Sequence, residues 1–363
     1  MNAATSESLI PQSTLPEDAV SAVLGLVVVS AVYADGRAHI MGLPDSFFTP
    51  WHAFLYGGLA LLVLWLAVMS LRASRRSGSP RIVVIPAGYG FATVGAALFA
   101  IGGVADMIWH VIFGVEFGID ALLSPSHLLL FVGGSLLLSG PFLAFRRGET
   151  APLAARIPAL LAVVGITGVA AFALTFLSAF VTDAPTIPLS HAPEGTEQHV
   201  VSEGLASAGL GSFILTSLVL VIPAISLLRT RAWFPGALTV LVTAIAGMAS
   251  VLTGFQTLGS SVVAAFVSAV VLDLVVVGFR QRASERAMEL IVASALPLLV
   301  WTGQLIAIAA RLGLDWSPAM SSGVVLMSAL VSFAVVLTVG GRSFRTTSTQ
   351  TDVTESAPAP PAR

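Results

Sequence analysis

About ten stretches of roughly 20 mostly apolar residues follow one another along this chain, divided by polar or Pro/Gly breaks, and each is long enough for an α-helix to cross the hydrocarbon core of a bilayer. They begin near Pro16, Pro50, Ile82, Pro125, Leu153, Gly204, Phe234, Gly259, Ala287 and Pro318. The expected fold class is therefore all-α, a polytopic transmembrane helical bundle of about ten spans. Composition agrees: 56% of the residues are hydrophobic and 10% charged, against about 25% charged in soluble proteins. A soluble enzyme is excluded. The 33 glycines and 20 prolines are compatible with spanning helices. Cysteine is absent, which removes disulfides, thiolate metal sites, iron–sulfur clusters and cysteine nucleophiles. A net charge of −2 offers no basic field for nucleic acid.

All 17 basic residues are arginines, and their placement orients the bundle, because short cytoplasmic loops retain positive charge. Arg72, Arg75, Arg76 and Arg81 follow the second segment; Arg146, Arg147 and Arg156 the fourth; Arg229 and Arg231 the sixth. Arg280, Arg282 and Arg286 follow the eighth, and Arg342, Arg345 and Arg363 the tenth, leaving Arg37 and Arg311 on the other side. The expectation is a multi-pass cell-membrane protein with both termini cytoplasmic. Residues 1–15 read as a short polar tail, since they lack the basic stretch of a secretory signal. Residues 342–363, rich in Thr, Ser, Pro and Ala, read as a disordered cytoplasmic tail.

That orientation puts all six histidines at the extracytoplasmic rim. The first connection reads Asp35-Gly36-Arg37-Ala38-His39, then twelve residues, then His52 within Thr49-Pro50-Trp51-His52. The second reads Asp106-Met107-Ile108-Trp109-His110, then sixteen residues, then His127 within Ser124-Pro125-Ser126-His127. Both follow one template, Asp-x3-His followed by Ser/Thr-Pro-x-His, displaced by 71 to 75 positions, or two helices. Residues 16–150 are thus expected to be a pair of duplicated metal-binding hairpins (four spans), the clearest part of a bundle built from repeated helical hairpins, and residues 151–341 the other six spans. Residues at i and i+4 share one helix face, so Asp35 with His39, and Asp106 with His110, can chelate together. Thr49 and Ser124 are expected N-caps with proline at the first helical position, which places His52 and His127 at the third. There the helix dipole disfavours imidazolium and leaves the neutral, ligating form. Two histidines and a carboxylate per hairpin suit a transition metal: iron, zinc or copper.

These windows resemble the metal-site region of a membrane subunit of the particulate methane and ammonia monooxygenases, the copper membrane monooxygenase family. In that family an Asp-x3-His, usually with Trp before the His, is followed after twelve residues by a His in a Phe-Thr-Pro-Ser-His context. Asp35, His39 and His52, approached by Phe48-Thr49-Pro50, carry the spacing; Asp106, Trp109, His110 and Ser124-Pro125-Ser126-His127 carry the flanks with four extra linker residues. The resemblance covers these two short windows. It implies copper as the favoured metal, oxidoreductase chemistry and a periplasmic or membrane partner subunit beside the lipid bilayer.

The third connection holds Asp183, His191, His199 and Glu203 as further candidate ligands, with His199 and Glu203 one turn apart; it reads equally as a polar loop, or as a lid over the two trios. Ser317-Pro318-Ala319-Met320 reads as a decayed copy of the second hairpin or an independent helix start. Asp273, in an apolar run, is either an intramembrane functional carboxylate or a partner of Arg280. Three functional readings follow: a copper-dependent oxygenase-like protein or subunit, a metal or small-solute transporter or metal-handling protein, and a noncatalytic membrane subunit with structural metal.

Overall fold

The computed structural model describes residues 10–43, 49–78, 83–114, 116, 118–145, 151–254 and 259–339. Most of the polar segment 1–15 and all of the tail 342–363 lie outside the described residues. The protein is an all-α transmembrane bundle with no strand among the described residues. In chain order the helices are α1 (Leu15–Ile40), α2 (Pro50–Arg76), α3 (Gly90–Phe113), the short α4 (Ile119–Leu123), α5 (Pro125–Leu138) and α6 (Gly140–Ala144). They continue as α7 (Leu153–Ala173), α8 (Glu197–Arg229), α9 (Ala237–Thr253), α10 (Gly259–Phe279), α11 (Glu285–Arg311) and α12 (Pro318–Val339). α5 and α6 form one span, Pro125–Ala144, interrupted at Ser139 just before Pro141, which lacks a ladder donor.

Nine of these segments are long and apolar enough to cross a membrane. The tenth, α9, has 17 residues, about 26 Å of helix and close to the shortest that spans. Pro235 and the left-handed Gly236 delay its start past Phe234, and the left-handed Gly254 ends it. Its Leu238, Leu241, Val242 and Ile245 are almost fully buried, so α9 is the central post of the bundle and faces protein more than lipid. Two other starts differ from expectation. Pro86 and Gly88, the latter at φ +90°, hold the chain out of helix until Gly90. α8 begins well before Gly204, because Thr196 caps it by accepting the His199 amide.

Apolar side chains form two cores. The larger joins α7 through α12 around Trp301, Phe213 and Leu241. The smaller joins α1, α2, α3 and α5 around Met69, Tyr89 and Leu137, and takes in Val169 of α7 and Leu252 of α9. α7 contributes to both. The first hairpin is latched at the end away from the histidines: Glu17, 2% exposed, closes a capping box on the Thr14 amide and accepts both Arg76 guanidinium nitrogens at 3.0 and 3.1 Å. Arg37 donates to Leu252 O at 2.9 Å and so caps the negative end of α9.

Asp273 does not pair with Arg280. Its carboxylate accepts from Trp233 Nε1 (3.1 Å), Thr239 N (2.9 Å) and Thr239 Oγ1 (2.7 Å), which places a negative charge at the N-terminus of α9. Arg280 stacks instead on the Trp233 ring. Asp273→Ala strands three donors and is expected to cost about 2–3 kcal/mol, with Asp273→Asn costing less because one acceptor oxygen remains. Unfolding in detergent checks both; an unchanged stability in Asp273→Ala would show these bonds to be dispensable.

Candidate metal centre

The two hairpins bring their Asp, His and His together. Asp35, His39 and His52 form one group and Asp106, His110 and His127 the other, each with one ligand atom per residue within 4.8 Å of the others. α1 presents Asp35 and His39 one turn apart near its C-terminus, and α2 returns His52 in its first turn. α3 and α5 repeat the arrangement. In both groups the imidazoles offer the same atom. His39 Nε2 lies 3.5 Å from Asp35 Oδ2 and His52 Nε2 3.2 Å from Asp35 Oδ1; His110 Nε2 lies 3.4 Å from Asp106 Oδ2 and His127 Nε2 3.5 Å from Asp106 Oδ1. Ligands bonded tetrahedrally at about 2.0–2.1 Å stand about 3.3 Å apart, so this spacing fits a shared ion. The paired rings are 5.8 and 6.0 Å apart between centroids.

Local hydrogen bonds set the ring tautomers in the second group. Ser126 Oγ donates to Asp106 Oδ1 at 2.8 Å and so must accept from Ser124 Oγ at 3.1 Å. With its proton committed there, Ser124 Oγ can only accept from His127 Nδ1 at 2.7 Å, while also accepting the His127 amide at 3.2 Å. His110 Nδ1 faces the Gly114 carbonyl at 3.2 Å, which likewise only accepts. Both rings therefore carry a proton on Nδ1, and in the neutral form each turns an Nε2 lone pair toward one carboxylate. In that form the facing lone pairs repel, and one cation between them satisfies all three groups at once. In the first group Asp35 Oδ1 is buried and accepts no hydrogen bond although His52 Nε2 is 3.2 Å away. That separation matches two ligands of a common ion.

The groups also differ. Trp51 stands where the second hairpin has Ser126, so no hydroxyl from that position reaches Asp35. Glu116 adds a carboxylate to the second group: Oε1 accepts from Trp109 Nε1, and the buried Oε2 lies 3.5 Å from His110 Nδ1 without a hydrogen bond. His39 is 40% exposed, making the first group the more open. The sequence pattern alone did not single out Glu116 as a neighbour of His110 or Ser126 as a donor to Asp106. It also missed that His52 stacks on Tyr56 and His127 on Phe131; the shared His-x3-aromatic spacing was the available signal.

Asp183, His191, His199 and Glu203 do not join a group of this kind among the described residues. Their connection packs on α8 and α11, and Pro185 O accepts from Asp315 N and Trp316 N, which ties it to the start of α12 and gives no sign of a lid. Met320 begins α12 with the capping seen at His127, its amide bound by Ser317 Oγ at 3.2 Å, but its side chain packs against the larger core.

No family model, curated protein or solved structure matches this chain.

Proposed function

We propose that this is a membrane metalloprotein in which Asp35, His39, His52 and Asp106, His110, His127 each hold one transition-metal ion, copper favoured, in an oxygenase-like protein or subunit. The carrying observation is that two hairpins of the same order each turn two imidazole Nε2 atoms onto one aspartate. Iron and zinc accept the same donors; the choice of copper, and dioxygen chemistry with a partner subunit, rest on the resemblance to the copper membrane monooxygenases. A redox metal bound there would supply one-electron and dioxygen chemistry. The chain's own part is to fix ring tautomers through Ser124 and the Gly114 carbonyl, and to hold the carboxylates at a helix-to-helix junction. By the arginine distribution this junction faces away from the cytoplasm.

Metal analysis of the purified, reconstituted protein tests the reading. The expected content is about two equivalents per chain, one for each proposed group; less than one of copper, iron or zinc combined would overturn it. Exposure of His39 favours a second reading, a metal-handling protein with an exchangeable ion. It predicts chelator stripping of the first group within minutes and metal flux into vesicles, where the oxygenase reading predicts metal-dependent dioxygen uptake.

Glu116→Gln and Ser126→Ala change groups that bear on His110 and Asp106 without being ligands. Each is expected to weaken metal binding at the second group by about 10–100-fold and to leave the first unchanged, as read by chelator competition. Equal loss at both groups would show the two ions to be coupled.

A further inference from the structure

A second candidate site lies at the other end of the bundle. α7 runs from Arg156 near its start to Phe172 near its end, and Phe172 packs edge-on to Tyr33, one turn or less from Asp35 on α1. Arg156 is therefore about 24 Å along the helix from the metal groups. It lines a cavity of about 560 Å³ formed by the start of α7, the end of α8, the end of α10 and the start of α11. Four guanidinium groups reach this cavity, from Arg156, Arg229, Arg231 and Arg280, against two carboxylates, Glu285 and Glu289.

Both carboxylates are already engaged. Glu289 accepts from Arg229 Nε and Nη2 at 2.9 Å each and from Arg286 at 2.8 Å, and Arg231 lies 3.1 Å from Glu285. Arg156 and Arg280 have no carboxylate within ion-pairing distance among the described residues. One tryptophan holds both. The Trp233 carbonyl accepts Arg156 Nη1 at 3.1 Å, its ring lies under Arg280 at 5.4 Å, and its indole N–H is fixed by Asp273. Carbonyl and ring satisfy geometry without cancelling charge, so two positive charges remain over a rigid platform. Leu228, Val276 and Met288 give the cavity an apolar wall.

We infer that this cavity binds a phosphate-bearing anion, with Arg156 and Arg280 supplying the guanidinium contacts. Guanidinium pairs suit phosphate oxygens, and basic pockets between spanning helices at the cytoplasmic side suit anionic lipid headgroups. The apolar wall favours a phospholipid, whose acyl chains can leave along it, over free phosphate. The inference stands apart from the metal reading, since no residue is shared.

The test uses the full chain in nanodiscs of phosphatidylcholine, titrated with short-chain phosphatidylglycerol, and in detergent with inorganic phosphate. Wild type is expected to prefer phosphatidylglycerol over phosphatidylcholine, with a Kd about 30-fold tighter than that of the double variant Arg156→Gln, Arg280→Gln. The double variant Arg156→Lys, Arg280→Lys keeps the charges and should retain most of the affinity, separating charge from folding. Arg-dependent binding of inorganic phosphate without a lipid preference supports the same pair and identifies a soluble phosphate as its ligand. Equal affinity for both lipids with no phosphate binding, or phosphatidylglycerol binding unchanged in the glutamine variant, overturns the inference.

Discussion

His52→Ala and His127→Ala are each expected to remove one metal equivalent and leave the other in place, and the double variant to bind neither. The asymmetry of each hairpin makes these the decisive positions. Asp35 and His39 lie on one helix and stay adjacent whatever α2 does, so His52 alone closes the first group across the turn; His127 does the same for the second. Losing a direct ligand should cost more affinity than the about 10–100-fold typical of a supporting partner. The bundle itself should survive, because both cores lie below the rim and neither histidine belongs to them. Metal content measured beside an unfolding curve separates the effects. Loss of both equivalents in His52→Ala would mean one shared centre; no loss in either variant, with the protein folded, would remove the metal reading.

The hairpin trios were legible because every signal that builds them is local. The i, i+4 spacing of Asp35 and His39, the Thr-Pro and Ser-Pro starts, and a short connection are enough to place three side chains, whatever the rest of the bundle does. Spans were legible for the same reason: length and apolarity decide them residue by residue. Contacts made across helices were not. Asp273 answers to Trp233 and Thr239, 40 and 34 positions away, and the nearer Arg280 proved a misleading partner. The partner of Arg37 was hidden because nothing within its own connection pointed to Leu252, 215 positions away. The third connection carries a weaker signal. His199 and Glu203 have the ligand spacing on α8, but among the described residues they do not form a group of three ligands like those of the two hairpins.

The second group should also be lost without touching any of its ligands, through the contact that sets the distance between α3 and α5. A Cβ added at Gly95 would lie 2.3 Å from Leu137 N and 2.6 Å from Gly133 O, and one at Gly133 would lie 2.7 Å from Phe99 N. These are backbone atoms, so no rotamer change relieves them; the helices must part by about 1 Å to reach ordinary contact. Asp106 and His110 ride on α3 and His127 on α5, and metal ligands tolerate errors of only about 0.2 Å. Gly95→Val is therefore expected to reduce metal content from two equivalents to one, with the first group, carried by α1 and α2, intact, and to lower stability. Gly103 on the same helix has nothing within 4 Å of its added Cβ, so Gly103→Val should keep both ions. If folded Gly95→Val protein retains the second equivalent, the separation of α3 and α5 does not govern that group, and the connection between them, with Glu116 and α4, must hold the ligands in register instead.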